Sequence, residues 1–387
     1  DGARPYCRSA GVRVYDLNDP ANPALVSTFA DAASDPRVAG SRTEKLLVRA
    51  VSTAAFRGDL AAVGFQSCAG DEGFRGFGLY DVTDPTSPRT LALVATDRRA
   101  NGAHELWLDP RDDAAYVYTA VPLSELRTSP DGRSPGDQPD FMVFDVSDPA
   151  SPRRVGQWGA WAQLGVAPQA TDPQGVLREH LAHSVIAEGT TAYLSYWDLG
   201  TVILDLNDPA NPLYVGRTTF APHQEGNAHS AWLAAGGRIL VETDEDVEPT
   251  PVGPLERGWG HPRVFDLSDP AHPSLLAEVE LASTRQLPPP GPGHYSVHDP
   301  KVAGELALFS WYAEGVVAVD LSDPANPRRL AQFVPPPASD PSGLFFDGQP
   351  TAHTWGVFLH GDLVLASDIN SGLWVLRLEG LAGTPSP

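Results

Sequence analysis

The chain has 387 residues, a formal net charge of −22, 38 prolines and 36 glycines. That acidity argues against a nucleic-acid partner, which needs clustered lysine and arginine, and disfavours adsorption to anionic lipid. So many prolines and glycines leave few uninterrupted windows with a 3.6-residue apolar pattern, which argues against a helical fold.

Six copies of one eight-residue phrase punctuate the sequence, at 16–23, 81–88, 145–152, 205–212, 266–273 and 320–327. The first reads Asp16-Leu-Asn-Asp-Pro-Ala-Asn-Pro23, and the leading aspartates are 65, 64, 60, 61 and 54 residues apart. A near-constant period signals a repeat architecture. The phrase itself is a turn. Asp19 before Pro20 offers a side-chain acceptor and a pre-set φ, and Asn22 before Pro23 is pushed extended, which starts a strand. Hydrophobic strands precede it at Phe141–Phe144, Val202–Leu204 and Val316–Val319, and follow it at Ala24–Phe29, Tyr214–Phe220 and Leu330–Phe333. A further strand pair lies upstream, as in 183–186 with 192–196. Four short strands per repeat with Gly/Pro/Asp punctuation predict β-propeller blades, their strands labelled A (inner) to D (outer).

In chain order, six A–B pairs begin near 48, 104, 182, 228, 296 and 353. Seven C strands are expected, because Gly372–Leu376 repeats Gly315–Val319 with Arg377 in place of Asp320. The expectation is one all-β propeller domain over 1–387, with seven repeats and a degenerate last one at 353–378. The first blade is incomplete, its inner strands falling upstream of Asp1. Six blades with an extra hairpin is the rival count. The long connections, 119–139, 158–179, 243–262, 281–294 and 334–352, are D–A and B–C loops, so one face carries the decoration on which function is built.

Histidine is the residue that follows the period. His104, His183, His229, His298 and His353 fall at or near the start of successive A strands, with Arg49 near the equivalent place in the first. His180, His223 and His294 precede three of them, and Glu105, Glu179, Glu225 and Asp299 are acidic neighbours. Strand A lines a propeller's channel, so the five are expected to face one axis. Three uses stay open. The rings could hydrogen-bond backbone of a neighbouring blade, hold Fe, Cu or Zn with the carboxylates orienting them, or do acid–base chemistry without metal. Ca2+ at Asp244–Asp246 or Asp368–Asn370 has no full loop signature behind it, and an acidic turn is the plainer reading. Trp107, Trp197, Trp232, Trp311, Trp355 and Trp374 are expected in strands as inter-blade packing. The sequence has no nucleophile elbow, P-loop or dinucleotide fingerprint.

The repeated strand–Asp-(Leu/Val)-(Ser/Asn/Thr)-Asp-Pro-x-x-Pro resembles the LVIVD-repeat family of extracellular bacterial β-propellers, over roughly residues 10–378. The resemblance implies the propeller fold and export; the seventh copy departs from it by lacking the Asp-Pro turn. A first residue Asp reads as a processed chain, and two lysines among 27 basic residues fit a GC-rich bacterial genome. Cys7 and Cys68 both fall between strands B and C of adjacent blades. Such loops can bring Cα atoms within the ~4.4–6.8 Å of a disulfide, so a bridge is expected, with two free thiols the alternative. The expected function is a secreted or cell-envelope binding or scaffold module with a protein or glycan partner and no transmembrane segment. The alternative is an oxidative or hydrolytic metalloenzyme with the channel histidines as ligands.

Overall fold

Each repeat phrase folds as two consecutive turns closed by its own aspartates. The leading carboxylate (Asp16, Asp81, Asp145, Asp205, Asp266, Asp320) accepts the amide two residues on at 2.7–3.0 Å. The aspartate before proline does the same at 3.0–3.2 Å. These are local side-chain-to-backbone bonds, so each phrase ends strand C and starts strand D with no help from the rest of the fold. Eight residues after three of the leading aspartates an arginine closes the hairpin: Arg89 on Asp81, Arg153 on Asp145 at 2.8 Å and Arg328 on Asp320 at 2.9 Å.

The computed structural model of the chain describes residues 11–67, 73–96, 102–224, 226–247, 249, 255–339 and 349–379. It is all-β, a β-propeller arrangement with six blades. Blade I comprises Leu46–Ser52, Arg57–Ser67, Gly76–Asp81 and Arg89–Ala95, and blade II Glu105–Pro110, Ala115–Ala120, Phe141–Asp145 and Arg153–Trp158. Blade III is Ser184–Glu188, Thr191–Tyr196, Gly200–Asp205 and Leu213–Arg217; blade IV is Ala228–Ala234, Ile239–Asp244, Pro262–Asp266 and Ser274–Glu278. Blade V is Pro300–Ala303, Leu306–Trp311, Gly315–Asp320 and Arg328–Phe333; blade VI is Thr354–His360, Leu363–Asp368 and Gly372–Arg377.

The blade count is therefore the rival six, not seven. The first repeat supplies only Val12–Asp16 and Ala24–Phe29, a hairpin with C and D strands, and among the described residues no A or B strand pairs with it. The first repeat is incomplete as expected, so the seven C strands divide into six blades and one hairpin without inner strands.

Strands B and C read as continuous apolar runs because both faces are covered, whereas strand D is largely exposed. The C–D pairing breaks register at the same place in five repeats, just before the leading aspartate: Val14/Tyr15, Leu79/Tyr80, Val143/Phe144, Val264/Phe265 and Ala318/Val319. A bulge there adds the local twist an outer strand needs.

The described chain packs as two compact units. The first is Asp1–Gln169 with His180–Leu194 and Leu204–Tyr214; the second is Ala170–Glu179 with Ser195–Ile203 and Val215–Pro387. In the first, Leu60, Phe77 and Leu79 of blade I pack on Leu106, Val117 and Phe144 of blade II. In the second, Val241 and Val264 of blade IV meet Phe309 and Val317 of blade V, and Leu308 and Ala318 meet Val357 and Val364 of blade VI. Among the described residues no helix is long and apolar enough to cross a membrane.

Candidate functional site

In the second unit the repeat histidines collect at the loop end of blades IV to VI. His229 stands in strand A of blade IV where register slips between Ala228 and Ser230, a bulge that re-aims its side chain. Two non-glycine residues in the left-handed region flank it, Asn227 (φ 59°) and Trp197 (φ 23°). The Trp197 carbonyl accepts the Ala228 amide and the Asn227 carbonyl accepts the Glu245 amide, both at 3.0 Å. Such conformations cost on the order of 1–3 kcal/mol each and concentrate at functional sites.

The strained backbone delivers a buried polar group. His229 is 1% exposed, its Nδ1 lies 2.8 Å from Ser230 Oγ, and its Nε2 lies 3.6 Å from Glu245 Oε2. The other oxygen of Glu245 accepts the Tyr312 hydroxyl. Burial pushes the Glu245 carboxyl up to about 7, with the Tyr312 hydroxyl pulling the other way.

Beside His229, at 4.2 Å between ring centres, lies His298. Its Nδ1 is 2.6 Å from the Trp355 carbonyl; a carbonyl only accepts, so Nδ1 carries the hydrogen and the lone pair sits on Nε2. The Tyr312 ring is the hub, 5.2 Å from His298, 4.5 Å from His353 and 6.1 Å from His294. His353 is fully buried, its amide donates to Asp368 at 2.6 Å, and its ring stacks on Trp355. Trp355 occupies a second bulge, between Thr354 and Gly356. Burial lowers the pKa of His294, favouring the neutral imidazole.

The first unit holds a histidine pair. His104 and His183 meet edge to face, ring centres 4.2 Å apart, with 2.7 Å between their Nε2 atoms. His104 Nδ1 lies 2.9 Å from Gln66 Oε1 and 3.0 Å from Glu44 Oε2. Two acceptors there put the hydrogen on Nδ1, so Nε2 is the acceptor and His183 the donor. His104 and His298 thus share one pattern, an oxygen fixing Nδ1–H and a lone pair at Nε2, which in His104 accepts from His183. Metal-ligating histidines are oriented in this way.

A family model for the LVIVD repeat matches residues 136–158 and 181–219. Each matched stretch contains one of the repeat phrases, 145–152 and 205–212. No curated protein matches it in sequence. Among solved structures, Saccharomyces cerevisiae Sqt1 is 10% identical, covering 96% of this chain and 80% of its own, with a TM-score of 0.54. Sqt1 from Chaetomium thermophilum, bound to the N-terminus of a ribosomal protein, is 11% identical over 95% and 78%, with a TM-score of 0.53. At such identities the likeness shows the fold alone.

Of the sequence-predicted residues of this propeller, His104 and His183 meet in one unit, and His229, His298, His353 and His294 gather in the other. The remaining candidates are turned elsewhere. His180 Nδ1 bonds the Ala167 carbonyl at 2.7 Å, and His223 is exposed. Glu105 pairs with Lys45 at 3.2 Å, Asp299 with Lys301 at 2.5 Å, and the Glu179 amide donates to Asp198 at 2.7 Å. Glu225, Cys7 and Cys68 lie outside the described residues. Asp244 is ion-paired with Arg263, and Asp368 accepts the amides of Asn370 and Ser371 within its own turn. Trp197 and Trp355, expected as strand packing, instead shape the histidine cluster. Sequence reasoning passed over Glu44 and Gln66, and over Tyr312, which stands eight residues before Asp320 as Trp197 does before Asp205. Glu245 was visible only as the middle of an acidic triplet.

Proposed function

We propose that this protein is an exported binding and scaffold module whose ligand site is the histidine–aromatic cluster at the loop end of its inner strands. The observation that carries the reading is His229. A bulge and two left-handed residues hold its imidazole, almost wholly buried, against the Glu245 carboxylate. Burying titratable groups costs stability unless something compensates, and His229, Glu245 and Tyr312 are buried together at a strained backbone. A transition metal is the ligand this chemistry suits: imidazole nitrogens take Fe, Cu or Zn, and Nδ1 locked by oxygen leaves Nε2 to ligate. The nucleus of the site is His229 with Glu245, and His298 stands beside it. The His104–His183 pair is a second nitrogen-rich place in the other unit.

The net charge of −22 suits cations or a basic partner and, with the export implied by the family resemblance, supports a protein or glycan of the cell envelope as the scaffolded component. Sqt1 with a bound protein N-terminus supports peptide capture as something this fold accommodates. Catalytic use of the metal is the second reading, favoured by the Tyr312 hydroxyl on Glu245, which places an O–H acid beside the ligands.

Elemental analysis of protein purified without chelator tests the metal. Near-stoichiometric Fe, Cu or Zn is expected in the wild type, with one equivalent lost in His229→Ala and in Glu245→Gln. No stoichiometric ion after loading with each metal in turn overturns the metal site and the catalytic reading together.

A further inference from the structure

A second cluster lies in the same unit on the outer part of blade IV, built from residues that follow no repeat. His261 precedes strand C and is 3% exposed; Glu278 ends strand D, and Glu280 follows it. The His261 ring is oriented by its own chain, Nδ1 lying 3.2 Å from the Trp259 carbonyl. The hydrogen therefore sits on Nδ1, and a neutral His261 presents its lone pair at Nε2. That buried nitrogen makes no hydrogen bond. It faces the Oε1 of Glu278 at 3.5 Å, another lone-pair atom. Two acceptors opposed at this distance need something positive between them, a proton or a metal ion.

Geometry separates the two. A good N–H···O bond is about 2.9 Å long, whereas two ligands of one tetrahedral zinc, each about 2.0–2.2 Å from it, stand about 3.3–3.5 Å apart. The observed 3.5 Å is longer than a good hydrogen bond and matches a ligand-to-ligand distance. A carboxylate oxygen of Glu280 completes the set, all three ligand atoms lying within 4.8 Å of one another.

The surroundings fix the ligands. Glu278 Oε1 accepts Gln224 Nε2 at 2.7 Å and Arg263 Nε at 3.2 Å, and Glu280 Oε1 accepts Arg285 Nε at 2.7 Å. Arg263 also pairs with Asp244, and Arg285 with Glu256 at 3.1 Å. Carboxylates thus outnumber the guanidinium groups here, an excess of acceptors that a divalent cation would offset. Glu278 and Glu280 side chains are 28% and 38% exposed, so an ion enters from solvent.

We infer that His261, Glu278 and Glu280 form a binding site for a zinc-like divalent ion, with the fourth position open to water. This site shares no residue with the inner-strand cluster. Calorimetric titration of the full chain with Zn2+, and Co2+ absorption as a probe of tetrahedral geometry, test it. His229→Ala should keep the site, with its Co2+ d–d bands. In that background, Glu280→Gln should weaken it by at least about tenfold and His261→Ala should abolish it. Glu280 is partly exposed, so its variant reports even where His261→Ala fails to fold. Unchanged stoichiometry and affinity in Glu280→Gln, or metal that only adsorbs without saturating, overturns the inference. Binding lost in His229→Ala but retained in Glu280→Gln overturns it while leaving the inner-strand reading intact.

Discussion

At the scale of single residues, the costliest group in the second unit is Arg263, a guanidinium 2% exposed in strand C of blade IV. Burial pulls its pKa down, but Asp244, Glu242 and Glu278 outweigh burial and raise it, so it stays charged. Removing one partner of a buried ion pair strands the other. Arg263→Ala should therefore destabilise the protein by about 3–5 kcal/mol, measured by urea unfolding. A loss below about 1 kcal/mol would mean that water or rearrangement already satisfies Asp244. Glu242 shows how such a carboxylate is tolerated when it is paired: it accepts the Thr201 amide at 3.0 Å and the Thr201 and Thr218 hydroxyls at 2.6 Å.

At the scale of elements, the repeat phrase makes a pH prediction. Hydrogen bonds from Ser322 and from Ser268 hold Asp320 and Asp266 below the usual aspartate value. In Asp81 and Asp145 burial opposes, but bonds from Thr83 with Arg89 and from Ser147 with Arg153 prevail. A carboxyl whose folded pKa is depressed stabilises above its unfolded value and loses that contribution as pH falls through it. Stability should thus drop as pH falls below about 4, read as the denaturant midpoint between pH 5 and 2. Asp145→Asn should flatten its share of that slope and leave the neutral-pH fold intact; an unchanged slope would remove the turns from the acid response.

The same phrase explains what was legible in the sequence. Its turns are local, so strands C and D could be placed from residues such as Asp145 and Pro149 alone. Blade number was not local, because the hairpin 12–29 carries the phrase without inner strands. The histidine column could be read from the period. The site around it could not, since the His229 bulge depends on strand pairing and Glu245 arrives from a non-repeating B–C connection.

At the scale of the molecule, repeats supply a scaffold and the irregular connections supply chemistry. A ligand that binds only the folded state stabilises it, by about 2.7 kcal/mol at a hundred times its Kd. Dialysis against a chelator should lower the Tm, and readdition of the native ion should restore it. His229→Ala with Glu280→Gln should strongly reduce both responses. A Tm indifferent to chelator in the wild type would argue against a resident ion. The most direct measurement is anomalous X-ray scattering at the edge of the loaded metal, from crystals grown without chelator. A peak beside His229 Nε2 and Glu245 is the expected result. Crystals of metal-saturated protein with His229 and Glu245 in contact and no peak between them would contradict it.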